Sequence, residues 1–128
     1  NETINKYINK GLIDRYIPKW KSQYKLFKNL EHYFENEIIQ TEVSPTFLEG
    51  QRFDIWFPER KIAVEYNGMQ HYEAVDFFGG IEGLNRTKEL DKLKANKCKI
   101  SRVKLFIVNS DSDLDVVIKN IQKHISNQ

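Results

Sequence analysis

The stretch from Arg52 to Tyr66 constrains the chain more than any other. Arg52 to Phe57 alternates, with Phe53, Ile55 and Phe57 on one side and Arg52, Asp54 and Trp56 on the other, which predicts a strand. Pro58-Glu59-Arg60-Lys61 reads as a turn, and Ile62 to Tyr66 as a second strand ended by Asn67-Gly68. A hairpin closed symmetrically about Glu59-Arg60 pairs Phe57 with Ile62, Ile55 with Val64 and Asp54 with Glu65. Phe53, Ile55, Phe57, Ile62, Val64 and Tyr66 then form a core face. Arg52, Asp54, Trp56, Ala63, Glu65 and Asn67 form the opposite face. Directly opposed side chains on a sheet sit about 5 Å apart at Cβ. Two carboxylates at that distance repel, which weakens the sheet unless a proton or a cation intervenes. A hard divalent ion such as Mg²⁺ takes one or two carboxylates plus substrate phosphate oxygens. The local violation of sheet pairing therefore makes sense for a metal and phosphate site. A β-bulge or a longer turn would instead shift the register and leave both acids as ordinary exposed strand residues.

Around this hairpin the hydrophobic pattern predicts an α/β layer fold with a mixed sheet. Ile4, Tyr7, Ile8 and Leu12 form a weak helical stripe, and Pro18 restarts the chain. Residues 1–18 thus read as an N-terminal helical extension, and 19–128 as the main domain. Trp20, Tyr24, Phe27, Leu30 and Phe34 predict a helix, and Ile38-Ile39 open a strand that Ser44-Pro45 ends. After the hairpin come a Phe77-Phe78-Gly79-Gly80 loop and a basic helix from about Leu84 to Cys98, with Leu84, Leu90 and Leu93 as its apolar side. A strand over Val103–Val108 and a closing helix over Leu114–Ile125 complete the order. The paired phenylalanines suit a core cap beside a glycine turn better than a wedge into DNA.

Charge is unevenly placed. From Arg86 to Lys104 the chain carries eight basic residues against Glu89 and Asp91, whereas 41–85 carries eight acids against Arg52, Arg60 and Lys61. An acidic centre beside a basic arm suits a cation site next to a polyanion; alone, the arm reads more readily as a solvated helix face. The single cysteine, Cys98, excludes an internal disulfide framework and a thiolate-rich zinc site, and reads as a buried structural thiol. His32 and His124 fall on predicted helices. No window approaches the length of a membrane span, and the expected location is the reducing cytoplasm. The chain opens on Asn1, which suggests a piece of a longer protein. The glycines form neither a P-loop nor a dinucleotide fingerprint.

The residues Arg52-Phe-Asp54-Ile-Trp56-Phe-Pro58, followed by Ile62-Ala-Val-Glu65-Tyr-Asn-Gly68-Met-Gln70-His71-Tyr72, resemble the PD-(D/E)XK, restriction-endonuclease-like nuclease superfamily. The likeness is greatest to the branch of very-short-patch-repair-like endonucleases and related phage and bacterial domains, and it covers about 20–108. The resemblance implies a restriction-endonuclease-like core and Mg²⁺-dependent hydrolysis of DNA phosphodiesters, with Mn²⁺ as a substitute. It implies Asp54 and Glu65 as metal ligands, with the Tyr66 carbonyl as a third. Gln70 and His71 would position or deprotonate the attacking water. Arg52, Arg86, Lys88, Lys92 and Lys94 would contact the DNA backbone. Symmetric double-strand cutting would call for a homodimer, for which the sequence carries no signal.

The sequence departs from the superfamily pattern twice. The lysine expected two residues after the Glu is Asn67 here, and its replacement stays open between Gln70, His71 and a helix lysine. A glutamate on the first helix is also missing by register: Gln23 stands nearest, with Glu31 as the other candidate. These departures keep a second reading in play, in which the same fold binds nucleic acid without cutting it. A third reading makes the domain a protein-interaction module with the acids as surface decoration.

Overall fold

The computed structural model describes residues 17–67 and 80–128; within 17–20 it describes the backbone alone. The predicted N-terminal helix and the segment holding Gln70, His71 and Phe77-Phe78 lie outside the described residues. Helix α1 spans Ile17–Tyr33, with Pro18 in its first turn, where a missing N–H costs nothing. Strands β1 (Gln40–Val43), β2 (Phe53–Phe57) and β3 (Ile62–Asn67) follow, with one 3₁₀ turn at Thr46–Leu48. Helix α2 (Gly80–Ile100), strand β4 (Lys104–Asn109) and helix α3 (Leu114–Ser126) complete the order that the sequence predicts. Among the described residues no helix is long and apolar enough to cross a membrane.

The sheet runs β1-β2-β3-β4. The first three strands are antiparallel and β4 is parallel to β3, so the sheet is mixed. A parallel pair needs a crossover connection, and α2 supplies it. One core layer joins Leu26, Leu30 and Phe34 from α1 and its end to Ile55, Phe57, Ile62 and Val64, with Val117, Ile118 and Ile121 of α3. Phe34 meets Phe57 edge-on, ring centroids 5.6 Å apart. The opposite layer joins Leu48, Phe53, Trp56 and Ala63 to Cys98 and Val103. Both faces of β2 and β3 are therefore buried, and the domain is a three-layer α/β arrangement.

Three parts of the predicted core differ. Tyr24 is 56% exposed, because the row Leu26, Leu30, Phe34 faces the sheet instead. Phe53 leaves the face of Ile55 and Phe57 and stacks on Trp56, centroids 5.0 Å apart. The listed backbone pairing of β2 with β3 ends at Ile55↔Val64, and the strand coils there. Leu90 and Leu93 are 47% and 45% exposed. The inward side of α2 is instead Leu84, Thr87, Lys94, Lys97 and Cys98, with Cys98 fully in the core.

Helix α2 ends by a left-handed residue. Arg102 has φ 59°, its N–H reaches the Lys99 carbonyl at 3.2 Å, and the Val103 N–H reaches the Cys98 carbonyl at 2.8 Å. This is a Schellman closure, and Val103 packs in the same cluster as Cys98, as such closures favour. A side chain at positive φ carries a steric cost that glycine lacks. Arg102→Gly is expected to stabilise the domain by roughly 0.5–1 kcal/mol, read as a higher midpoint in urea unfolding.

Candidate functional site

The site forms where the β2–β3 ladder gives way. The register Ile55↔Val64, Trp56↔Ala63 and Phe57↔Ile62 sets Asp54 opposite Glu65, as the symmetric hairpin predicts. There the side chains replace backbone rungs. The Asp54 N–H donates to Glu65 Oε2 at 2.8 Å, and the Tyr66 N–H donates to Asp54 Oδ2 at 2.8 Å. Each carboxylate is thus fixed by the backbone of the other strand. Successive residues of a strand alternate their N–H and C=O between its two edges, so the Tyr66 carbonyl faces the same edge as its N–H, toward β2.

Lys94 of α2 enters this pair from the helix side. Its ammonium forms a close ion pair with Glu65 Oε1 and donates to the Arg52 carbonyl at 2.5 Å. Of the alternatives left open for the missing lysine, a helix lysine does reach in. Lys97, one turn on, donates to the Leu48 carbonyl at 2.9 Å and to Gln51 Oε1 at 3.3 Å. Gln51 in turn donates to the Leu90 carbonyl at 3.0 Å. These bonds fix the rotation of α2 and explain why lysines, not leucines, point inward.

Glu65 is 8% exposed and is the charged residue in the buried core of the described chain. Burial raises its pKa, the negative charge of Asp54 raises it further, and the Lys94 hydrogen bond pulls it back in part. A carboxyl whose folded pKa lies above its unfolded value makes stability fall as pH rises through that interval. The domain should therefore lose stability between about pH 4.3, the ordinary Glu value, and the higher folded value. Melting curves from pH 4.5 to pH 8 should show this slope reduced in Glu65→Gln; an equal slope in both proteins would contradict it.

The other predicted residues are placed less centrally. Arg52 is exposed and contributes its carbonyl. Lys88 and Lys92 are exposed and share a stripe of α2 with Ala95 and Lys99, whereas Arg86 lies on another flank of the helix. Trp56 is buried beneath α2, in the packing role. Cys98 is buried too, and burial with the nearby Glu65 charge holds its thiol above the ordinary range. His32 lies edge-on to Tyr33 and His124 edge-on to Phe106. Gln23 donates to Glu42 Oε1 at 3.5 Å, while Glu31 pairs with Lys28 on the surface. Glu42 stands opposite Asp54 by the register of β1 on β2 and has a left-handed φ of 48°.

A cleft of about 320 Å³ opens beside the carboxylates, between α2 and the ends of β3 and β4. Its walls include Glu65, Lys94, Lys92, Asn67, Leu105 and Ile107. Sequence reasoning missed Asn67, Leu105 and Ile107 as site residues. The parallel pairing Glu65↔Ile107 brings them together, and nothing local in the sequence signals it.

Set against protein-family models, curated proteins and solved structures, the chain matches none. Among the described residues no group of three or more His, Cys, Asp or Glu side chains could hold a metal ion. The two carboxylates and the Tyr66 carbonyl are nonetheless a hard-oxygen donor set. Mg²⁺ and Mn²⁺ accept such a set with one or two protein carboxylates, the remaining positions falling to water and phosphate.

Proposed function

We propose that the domain is a Mg²⁺- or Mn²⁺-dependent endonuclease of the PD-(D/E)XK type that hydrolyses DNA phosphodiester bonds. The observation that carries this reading is the reciprocal locking of Asp54 and Glu65 across two strands, with Lys94 against Glu65. A fold does not ordinarily set two acids opposite one another and bury one of them without a cationic partner for both.

Asp54, Glu65 and the Tyr66 carbonyl would hold the ion. When bound, it would polarise the phosphoryl oxygens and acidify an attacking water. Lys94 stands in for the lysine that the superfamily places at position 67. Its ammonium fixes Glu65 and adds positive charge where a pentavalent phosphate would develop negative charge. Gln70 and His71, just beyond β3 in sequence, take the water-positioning and proton-accepting roles. Arg52, Lys88 and Lys92 hold the DNA backbone, with Arg86 contacting it from the other flank of α2. Cutting both strands symmetrically would take two copies of the chain.

The test is incubation of supercoiled, linear and branched DNA with the chain, with and without Mg²⁺ or Mn²⁺. Ion-dependent nicking or cutting is the expected result. The absence of a third acidic or imidazole group among the described residues favours, as a second reading, a binding module that does not cut. That module would bind DNA with a steep salt dependence and be indifferent to the divalent ion.

A further inference from the structure

The cleft beside the carboxylates has a composition that a phosphate alone does not explain. Its charges balance, with Glu65 and Asp91 against Lys92 and Lys94. Its floor is apolar: Leu105 and Ile107 of β4 and Ala95 of α2. Ile107 is 54% exposed, a large aliphatic side chain left in water on a strand that otherwise buries Val108. Asn67, the last residue of β3, places an amide at the cleft wall. At about 320 Å³ the space falls at the small end of ligand pockets, which run from roughly 300 to 1,000 Å³.

A balanced pair of charges gives no net attraction for a dianion. An apolar floor with one amide and lysines at the rim fits a neutral heteroaromatic ring carried on an anionic backbone. A base can lie on Leu105 and Ile107, its edge toward the Asn67 amide, only if it has left its stack. Glu65 forms one wall of the same cleft, so the ring would belong to a nucleotide next to the cleaved phosphate.

We propose that this cleft receives one unstacked nucleoside beside the scissile phosphate, making single-stranded or frayed DNA the preferred substrate over continuous duplex. The inference rests on the nuclease reading for the identity of its polymer, but concerns binding and can be measured without cleavage. In a continuous duplex both faces of each base are covered by neighbours, and filling the cleft would require breaking a pair. A strand already open pays no such cost.

The test uses the full chain carrying Asp54→Asn, so that no substrate is consumed. Fluorescence anisotropy would compare a labelled single-stranded 15-mer of thymidylate with a blunt duplex of about the same length. The single strand should bind about tenfold tighter. Ile107→Ser, whose side chain is exposed enough for the fold to persist, should weaken single-strand binding about tenfold and leave duplex binding within about twofold; a melting curve checks its folding. Lys92→Gln, on the rim, should weaken both. Equal or tighter duplex binding, or an Ile107→Ser effect that is absent or equal on both probes, would overturn the proposal. Cleavage by the unmodified chain is scored separately. Cutting without a single-strand preference removes this inference and leaves the nuclease reading, and a preference without cutting does the reverse.

Discussion

Replacing Asp54 by Asn should abolish divalent-ion-dependent cleavage and make the metal-free domain more stable. The two effects have one cause. The asparagine oxygen can still accept the Tyr66 N–H that now reaches Asp54 Oδ2 at 2.8 Å, so the strand ends stay in place. The negative charge facing Glu65 disappears, and with it part of what raises the Glu65 pKa. Relief of a like-charge contact near the surface is worth about 1 kcal/mol, or roughly 3–6 °C in melting temperature for a domain of this size. Turnover should fall by on the order of 10³-fold or more, the scale on which loss of a central catalytic group acts. The gain in melting temperature on adding Mn²⁺ should vanish together with activity. A variant that cleaves like the parent protein would end the assignment of Asp54. One that loses activity together with melting temperature would show only that the fold was damaged.

Lys94→Met should act in the opposite direction on stability. It leaves Glu65 buried without its ion pair and still facing Asp54. Breaking a buried pair on one side typically costs 3–5 kcal/mol, and the partial exposure of this one reduces the expectation to about 2 kcal/mol. The Arg52 carbonyl also loses its donor. Cleavage should fall by roughly 10²-fold or more. The decisive measurement is thermal shift with Mn²⁺. If the ammonium and the ion neutralise the same carboxylates, Mn²⁺ should raise the melting temperature of Lys94→Met by more than that of the unmodified chain. Lys94→Met combined with Asp54→Asn should recover part of the lost stability, since the unpaired carboxylate is then alone. A Lys94→Met protein with unchanged melting temperature and activity would show that the lysine is incidental.

The hairpin was legible because two independent signals agreed. The period-two alternation of Phe53, Ile55 and Phe57 and the symmetric turn about Glu59-Arg60 both demand the register that sets Asp54 against Glu65. The order of helices and strands was legible for the same reason, and so was the inward face of α3, with Val117, Ile118 and Ile121 at helical spacing. The orientation of α2 was not. Hydrophobicity assigns Leu90 and Leu93 to the interior, but its rotation is decided by partners distant in sequence: Glu65, Arg52, Leu48 and Gln51. Lys94, Lys97 and Cys98 share a face at spacings of three and four, and that was the one local hint. Phe53 misled because alternation assumes an unbroken ladder, and here the carboxylates interrupt it. The cleft was invisible because it depends on a parallel pairing across the crossover, which no local pattern encodes.

The way α2 is seated bears on how the site behaves over time. Its attachment relies on three polar side chains reaching main-chain oxygens and a carboxylate, with Cys98 as the buried side chain along twenty-one residues. The strands, by contrast, are sealed in aliphatic and aromatic packing on both sides. Segments with little apolar burial open at lower free energy than the whole domain. Lys94 therefore rides on the layer that detaches first, and the acids can be uncovered while the sheet that carries them remains intact.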